Sequence, residues 1–200
     1  MVTSHAVKCD TGISIGYNLN EAAHPLVKLQ AAGIAVEFTP INGGEPPLDG
    51  LEDMNDPIIA RYWADQDFRQ AMAHTKAIAE INPSDYSAIF FAGGHGTMWD
   101  FPDNGDVHRA IREIYENGGI VSAVCHGPAA LVNARLSDGS LLIADKNVAS
   151  FTDDEETEVQ STDVVPFLLV STLNVRGAHH HPATNWHEQV IVDDRFITTG

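Results

Sequence analysis

The fold is decided by the stretch Gly119-Ile120-Val121-Ser122-Ala123-Val124-Cys125-His126-Gly127-Pro128-Ala129-Ala130. Its first six residues are small and apolar, which predicts a short buried strand, and Gly127-Pro128 followed by Ala129-Ala130-Leu131-Val132 predicts a helix start. Cys125 then stands on the turn between them, where free N–H groups and the helix dipole favour a thiolate and can hold an oxyanion. We therefore predict a nucleophilic cysteine with a lowered pKa. The alternative is a buried thiol that only fills space.

Composition limits the class of protein. With 200 residues, the chain is long enough for one domain, spanning 1–200. The 28 acidic against 11 basic residues give a net charge of −17, which argues against a nucleic-acid or membrane partner. No apolar run is long enough to span a membrane, and the N-terminus lacks the features of a signal peptide. Cys9 and Cys125 have no disulfide or zinc spacing, so we expect a cytoplasmic protein without a structural metal.

Strand-like apolar segments alternate with amphipathic segments of helical length, which predicts an α/β fold around a mostly parallel sheet. Pro40–Pro57 is rich in Gly, Pro, Asn and Asp and is predicted to be a surface loop. A final hairpin is predicted from residues 189–192 and 196–198. The other predicted strands are 34–39, 86–91, 119–124 and 147–151, and the predicted helices are 20–32, 58–79, 107–117 and 164–175.

A glycine loop, Gly93-Gly94-His95-Gly96, follows the predicted strand 86–91. It lacks both the Gly-Lys-Ser/Thr of a phosphate loop and the GxGxxG pattern of a dinucleotide site. Paired glycines let the backbone approach a ligand closely, so we expect Gly94, with Gly93, to supply oxyanion or substrate-binding N–H groups. A tight turn that needs positive φ is an equally good explanation of this segment alone.

Acidic and imidazole side chains supply the other candidates. Thr152 begins a capping pattern whose carboxylates need no functional explanation, although one of them is a candidate for catalysis. Glu21 stands in the first turn of a predicted helix, where the dipole alone would explain it. His179-His180-His181 and His187 raise a metal hypothesis that we do not favour, because adjacent histidines rarely converge on one ion.

Together these residues resemble the ThiJ/PfpI superfamily of class I glutamine amidotransferase-like proteins, and within it the heat-inducible chaperone and glyoxalase III branch. The resemblance covers nearly the whole chain. It rests on four ordered motifs: Gly16-Tyr17-Asn18-Leu19-Asn20-Glu21 with His24-Pro25, Phe91-Ala92-Gly93-Gly94-His95-Gly96, Ala123-Val124-Cys125-His126-Gly127-Pro128, and Ser150-Phe151-Thr152 leading to Glu156.

The resemblance implies a flavodoxin-like α/β sandwich, three layers with a small added hairpin. In it Cys125 matches the nucleophile, His126 its imidazole partner, Glu156 the acid of a triad, and Glu21 the glutamate beside the cysteine. Branch members act as glyoxalase III lyases of the hydro-lyase type. Their cysteine adds to the aldehyde of methylglyoxal or glyoxal, giving the 2-hydroxy acid without glutathione, metal or other cofactor.

Alternatives remain at this point: a stress-response holding chaperone, a protein deglycase, or a redox sensor that does not turn over aldehydes. We also expect a homodimer. Compared with the family pattern, the chain begins near the end of the first strand. It stops before an Asn-Pro loop and a final helix, so we expect a domain trimmed at both ends.

From the residues we make three contact predictions. Cys125 should be the most reactive thiol. Glu156 should lie within hydrogen-bond reach of the His126 ring and fix its tautomer. Glu21 should contact the sulfur of Cys125, because ligand sites of parallel sheets gather at the carboxyl ends of the strands. Beside that sulfur, Glu21 should be protonated or share a proton with it.

Overall fold

The computed structural model describes residues 1–51 and 54–200. Its strands and α-helices follow one another along the chain, with short 3₁₀ turns between several of them. They are, in chain order, β1 (Tyr17–Asn18), α1 (Leu19–Ala31), β2 (Leu48–Asp49), α2 (Pro57–Ala64), α3 (Gln66–Ala73), β3 (Ala88–Phe91), α4 (Thr97–Asp100), α5 (Gly105–Glu116), β4 (Ile120–Val124), β5 (Asn147–Val148), α6 (Asp153–Glu158), α7 (Leu169–Val175), β6 (His179–His180), β7 (Val190–Asp193) and β8 (Phe196–Thr199).

The main sheet has the strand order β3-β4-β8-β7. Strands β3, β4 and β8 are parallel, whereas β7 runs antiparallel to β8. The register pairs Phe91 with Ala123, and Val124 with Thr199, so three parallel strands end side by side. The predicted α/β fold with a mostly parallel sheet is thereby confirmed. The predicted terminal hairpin also forms, and it is an integral part of this sheet.

Hydrophobic side chains cover both faces of β3, whereas Val190 and Val192 of the edge strand β7 are exposed. Ile89 and Phe91 of β3 belong to one cluster together with the buried face of α5, whereas Phe90 packs against a second cluster formed largely by α1 and α2. Val121 and Ala123 of β4 are fully buried in the first cluster. Burial of both sheet faces is the arrangement expected for parallel strands, and it makes β4 a rigid support for the residue that follows it.

One predicted strand and the predicted loop differ from the structure, and the predicted strand 147–151 is regular only over β5, Asn147–Val148. Residues 34–39 form no regular strand, because their contact with the N-terminal segment consists of one bridge, Val2 to Pro40, and one bond from the Val2 N–H to the Thr39 carbonyl (3.1 Å). The apolar pattern signalled an extended chain, but a strand also needs a partner of several residues. The predicted loop Pro40–Pro57 contains β2, which pairs with β1, and its residues 52 and 53 lie outside the described part.

Two of the predicted helices are shorter in the structure. In each case a carboxylate binds the N–H groups at the start of a helix that begins later than predicted. The predicted helix 58–79 breaks at Asp65, whose carboxylate accepts from the N–H groups of Asp67 and Phe68 and so begins α3. The predicted helix 164–175 is helical only over α7, after Pro166, where Asp153 accepts from the N–H groups of two α7 residues. Within residues 1–51 and 54–200, no helix has the length and apolar character needed to cross a membrane.

Candidate active site

Cys125 occupies a strained turn directly after β4. Its φ angle is +58°, a conformation that non-glycine residues adopt rarely. The surrounding structure holds it there: its N–H donates to the Thr199 carbonyl (2.9 Å), and its carbonyl accepts from the Phe151 N–H (2.8 Å). Gly127 lets the turn lie against β3, since a Cβ there would stand 2.3 Å from the Phe91 carbonyl oxygen. The predicted strand-to-helix turn therefore exists, although the following helix is a 3₁₀ turn, Gly127–Leu131.

His126 connects the cysteine to a carboxylate. Its Nδ1 lies 3.3 Å from Sγ of Cys125, and its Nε2 lies 2.8 Å from Oε2 of Glu156. Both His126 and Glu156 are buried. Burial raises the pKa of Glu156, but the hydrogen bonds from His126 and His95 outweigh it and lower that pKa to about 2. An ionised carboxylate only accepts, so His126 donates from Nε2 and presents a bare Nδ1 to the sulfur.

Glu156 is distinguished from its acidic neighbours by the cap of α6. Glu155 accepts from the Thr152 N–H (2.8 Å), while its own N–H donates to the Thr152 hydroxyl (3.0 Å). This is the predicted capping pattern, and it turns Glu155 away from the imidazole. Glu156, one position later, faces the site, as the sequence predicted.

Glu21 lies against Cys125 despite a separation of about one hundred residues. Glu21 lies in the first turn of α1, and the Asn18 side chain caps the N-terminus of this helix. Its Oε2 accepts from the N–H of Gly93 (2.5 Å), which fixes the carboxyl group beside the sulfur. Burial raises the pKa of Glu21 to about 7, even though the Gly93 bond and the Cys125 contact act to lower it. The predicted contact and the predicted raised pKa are therefore both present.

The predicted lowered pKa of Cys125 is wrong. Burial raises the pKa of the Cys125 thiol, and the neighbouring Glu21 raises it further, which outweighs the lowering effect of the Gly94 and His126 N–H groups. The sequence argument relied on the N-terminus of a following helix, but a short 3₁₀ turn has little dipole to offer. At rest the site therefore holds a thiol, and a thiolate needs a base to form.

The two glycines of the loop after β3 have different roles in the structure. The N–H of Gly94 contacts the sulfur of Cys125, as does the N–H of His126. The N–H of Gly93 is already used by Glu21, so Gly93 is not a free donor for an oxyanion. Gly94 and His126 remain as the pair of N–H groups that a bound alkoxide beside Cys125 would meet.

We expect Gly94→Ala to destabilise the protein by about 3 kcal/mol or more, because strain and collision add. Gly94 has φ +92°, and a Cβ there would lie 2.1 Å from the Gly16 carbonyl oxygen. Gly118→Ala is the matched control, since Gly118 has φ +87° with no atom within 4 Å, and it should cost only about 1 to 2 kcal/mol. Urea unfolding of both variants measures the difference; equal losses would contradict the collision.

His95 is the functional residue that sequence analysis missed. Its Nε2 lies 2.8 Å from Oε1 of Glu156, and its ring centroid is 4.3 Å from that of His126. A signal for it was present in the sequence, because an imidazole side chain stands in the glycine loop at the carboxyl end of a parallel strand, next to the strand that carries Cys125.

Aromatic rings cover another side of His126. The Phe151 ring stacks on His126 with a centroid distance of 4.2 Å, and the exposed Trp186 packs edge-on against Phe151.

The histidines of the metal hypothesis do not come together. His181 bonds through its ring to Asn147, and His187 to the Asn185 carbonyl. Among the described residues, one group of three potential ligands has its donor atoms within 4.8 Å of one another: His95, His126 and Glu156. The Nε2 atom of each ring is already hydrogen-bonded to the Glu156 carboxylate, which gives an imidazole–carboxylate–imidazole arrangement.

The geometry of the site can now be set beside comparisons of the whole chain with known proteins. Residues 15–199 match the model of the DJ-1/PfpI family. The chain belongs to the DJ-1/PfpI family. This agrees with the resemblance drawn from the four sequence motifs.

Individual DJ-1/PfpI proteins are similar along most of the chain. Glutathione-independent glyoxalase HSP31 of Saccharomyces cerevisiae is 32% identical, covering 94% of this chain and 83% of its own length. Glyoxalase 3 of Candida albicans is also 32% identical, covering 94% and 84%. Rapid Encystment Protein 24 kDa of Francisella tularensis, a solved structure, superimposes with a TM-score of 0.95 at 37% identity, covering 99% and 88%. An enzyme of this family is thereby indicated.

Proposed function

We propose that this protein converts methylglyoxal or glyoxal to the corresponding 2-hydroxy acid without glutathione, as a glyoxalase III-like lyase with Cys125 as nucleophile. The observation that carries the proposal is the carboxyl group of Glu21 beside the cysteine sulfur, with a pKa raised by burial to about 7. A cysteine, histidine and carboxylate would serve many acyl-transfer reactions. An isomerisation between two adjacent carbons also needs a group that gives and takes a proton near neutral pH.

The first step forms a bond between sulfur and the aldehyde carbon. The bare Nδ1 of His126, 3.3 Å from Sγ, accepts the thiol proton as the sulfur attacks. The aldehyde oxygen becomes an alkoxide, which the N–H groups of Gly94 and His126 stabilise before it is protonated to a hemithioacetal. Glu156, held ionised, stabilises the imidazolium that forms meanwhile.

The second step moves hydrogen between the two carbons. Ionised Glu21 takes the proton from the former aldehyde carbon while the hydroxyl proton of the hemithioacetal moves to the former keto oxygen, giving an enediolate. Glu21 then returns its proton to the former keto carbon as the thioester carbonyl forms. The product is a thioester of Cys125 with the 2-hydroxy acid. Water then cleaves the thioester, releasing the acid and restoring the thiol. The sum is methylglyoxal plus water to lactic acid, with no electron acceptor and no cofactor consumed.

The test is to incubate the purified protein with methylglyoxal in the absence of glutathione and to quantify lactate by NMR. The expected result is stoichiometric conversion over many turnovers. Loss of methylglyoxal without lactate would mean adduct formation only, and would contradict the proposal. Suppression of client aggregation without lactate would favour the holding chaperone. Reversible oxidation of Cys125 without lactate would favour the redox sensor.

For Glu156→Gln we expect at least about a 100-fold loss of lactate formation with the fold retained. The glutamine amide has one acceptor oxygen, whereas the two imidazole N–H groups of His126 and His95 each need an acceptor, so one ring loses its partner. The neutral amide also no longer stabilises the imidazolium form of His126. The exposed neighbour Glu158 provides the matched control, because Glu158→Gln removes a carboxylate from the same helix. Circular dichroism checks folding. Comparable losses in both variants would contradict the assignment of Glu156.

A further inference from the structure

Glu156 holds two histidines, and only one of them contacts the cysteine. His126 approaches Oε2 and His95 approaches Oε1, each with an Nε2-to-oxygen distance of 2.8 Å. The side chains of His126 and Glu156 are 2% and 4% exposed, whereas that of His95 is 18% exposed. Each carboxylate oxygen of Glu156 therefore accepts a hydrogen bond from one imidazole ring.

His95 is held by the same loop that carries Gly94. Its carbonyl accepts from the Met98 N–H (3.0 Å) in the turn into α4, and the Gly94 carbonyl accepts from the Thr97 hydroxyl (2.9 Å). The same hydroxyl oxygen lies 3.1 Å from the His126 carbonyl oxygen, so its single proton is shared between the two carbonyls. The loop and the cysteine turn are therefore tied together through Thr97, which sets the backbone of His95 relative to that of His126.

A glutamate bound at a single oxygen has freedom to rotate its carboxyl group. The second bond removes that freedom, because rotation would break the contact with one ring or the other. We infer that His95 is a positioning residue: by holding Oε1 of Glu156 it keeps Oε2 on His126, and so maintains the His126 tautomer whose bare Nδ1 faces the cysteine sulfur. Its effect on turnover rests on the proposed function, but the tautomer does not.

Two amide variants separate the hydrogen bond from the other properties of His95. In His95→Gln, the amide nitrogen occupies nearly the place of the histidine Nε2 and can donate to Oε1. In His95→Asn, the same group sits one carbon short and cannot reach. Both variants remove the imidazole ring, so any difference between them reports the hydrogen bond.

The readout is the ¹⁵N NMR signature of the His126 ring in the substrate-free protein, together with kcat and KM for methylglyoxal. We expect His95→Gln to keep the Nε2–H tautomer and kcat within about threefold of the unchanged protein. We expect His95→Asn to show mixed tautomers and a kcat lower by about 10-fold to 100-fold, with KM nearly unchanged. Circular dichroism confirms that both remain folded.

Two results would overturn the inference: a unique Nε2–H tautomer in His95→Asn, or equal impairment of the tautomer in His95→Gln and His95→Asn. If the unchanged protein forms no lactate, the proposed function fails, whereas the NMR comparison still decides the role of His95. If His95→Asn does not fold, the tautomer in His95→Gln decides, because loss of the Nε2–H signature there contradicts positioning by a hydrogen bond.

Discussion

Cys125→Ser is expected to lower lactate formation from methylglyoxal by about 1000-fold or more. A serine hydroxyl is a much weaker acid than a thiol, so the neutral Nδ1 of His126, which faces that atom, removes its proton far less readily. Burial lowers the pKa of His126, so the ring is neutral at pH 7 and ready to accept a proton. The measurement is the initial rate of lactate release.

Cys9→Ser is the matched control for this prediction. Cys9 is exposed, lies on a 3₁₀ turn, and should be dispensable for turnover. Iodoacetamide labelling followed by mass spectrometry tests each thiol separately. Unchanged lactate formation in Cys125→Ser would exclude a hemithioacetal on this residue, and loss of activity in Cys9→Ser would relocate the nucleophile.

Glu21→Gln is expected to reduce turnover by about 1000-fold while leaving Cys125 open to alkylation. The amide can keep the bond to the Gly93 N–H through its oxygen, but it cannot carry a proton from one carbon to the next. Removal of the acidic group also removes its raising effect on the pKa of Cys125. Iodoacetamide should therefore label Cys125 faster in this variant than in the unchanged protein at the same pH.

The stability of Glu21→Gln should also depend on pH differently from that of the unchanged protein. Burial raises the pKa of Glu21 from 4.5 to about 7, so between these values the folded protein keeps a proton that the unfolded chain has lost. Stability therefore falls as pH rises through this window, by something on the order of 3 kcal/mol in total. Glu21→Gln should lack this decline, and its melting temperature should gain on that of the unchanged protein from pH 4.5 to 7.

Glu188→Gln, at an exposed position, is the control for both Glu21 experiments and should change neither turnover nor the pH profile. Near-normal lactate formation by Glu21→Gln would remove Glu21 from the mechanism and weaken the glyoxalase proposal with it. A melting-temperature difference that stays constant from pH 4 to pH 8 would show instead that folding does not raise the pKa of Glu21.

Local patterns in the sequence were sufficient for the cysteine turn and for the cap of α6. Gly127-Pro128 after an apolar run predicts the turn, because the local backbone geometry determines where the strand ends. Thr152 and Glu155 predict the cap of α6, because the two partners lie only three residues apart. The contact between Glu21 and Cys125 was predicted from the gathering of strand carboxyl ends at one sheet edge. The contact is present, although β1, which precedes Glu21, pairs with β2 in a separate sheet from β4.

Other features depend on three-dimensional surroundings that no local pattern contains. The pKa of Cys125 follows from burial and from Glu21, neither of which the turn itself specifies, so an argument from the helix N-terminus had the wrong sign. His95 stands in a loop whose glycines drew attention to the backbone rather than to the side chain. The extended segment 34–39 carried an apolar pattern typical of a strand, but its neighbour offers it a single bridge.

The bond from the Cys125 N–H to the Thr199 carbonyl also has a consequence for biosynthesis. Glu21, Cys125 and β8 are far apart along the chain, and β8 is inserted directly beside β4. During translation, therefore, the turn cannot reach its final geometry until residues 196–199 have left the ribosome. A nascent chain without these residues would lack this bond at the Cys125 turn, even if it already contained every proposed catalytic side chain.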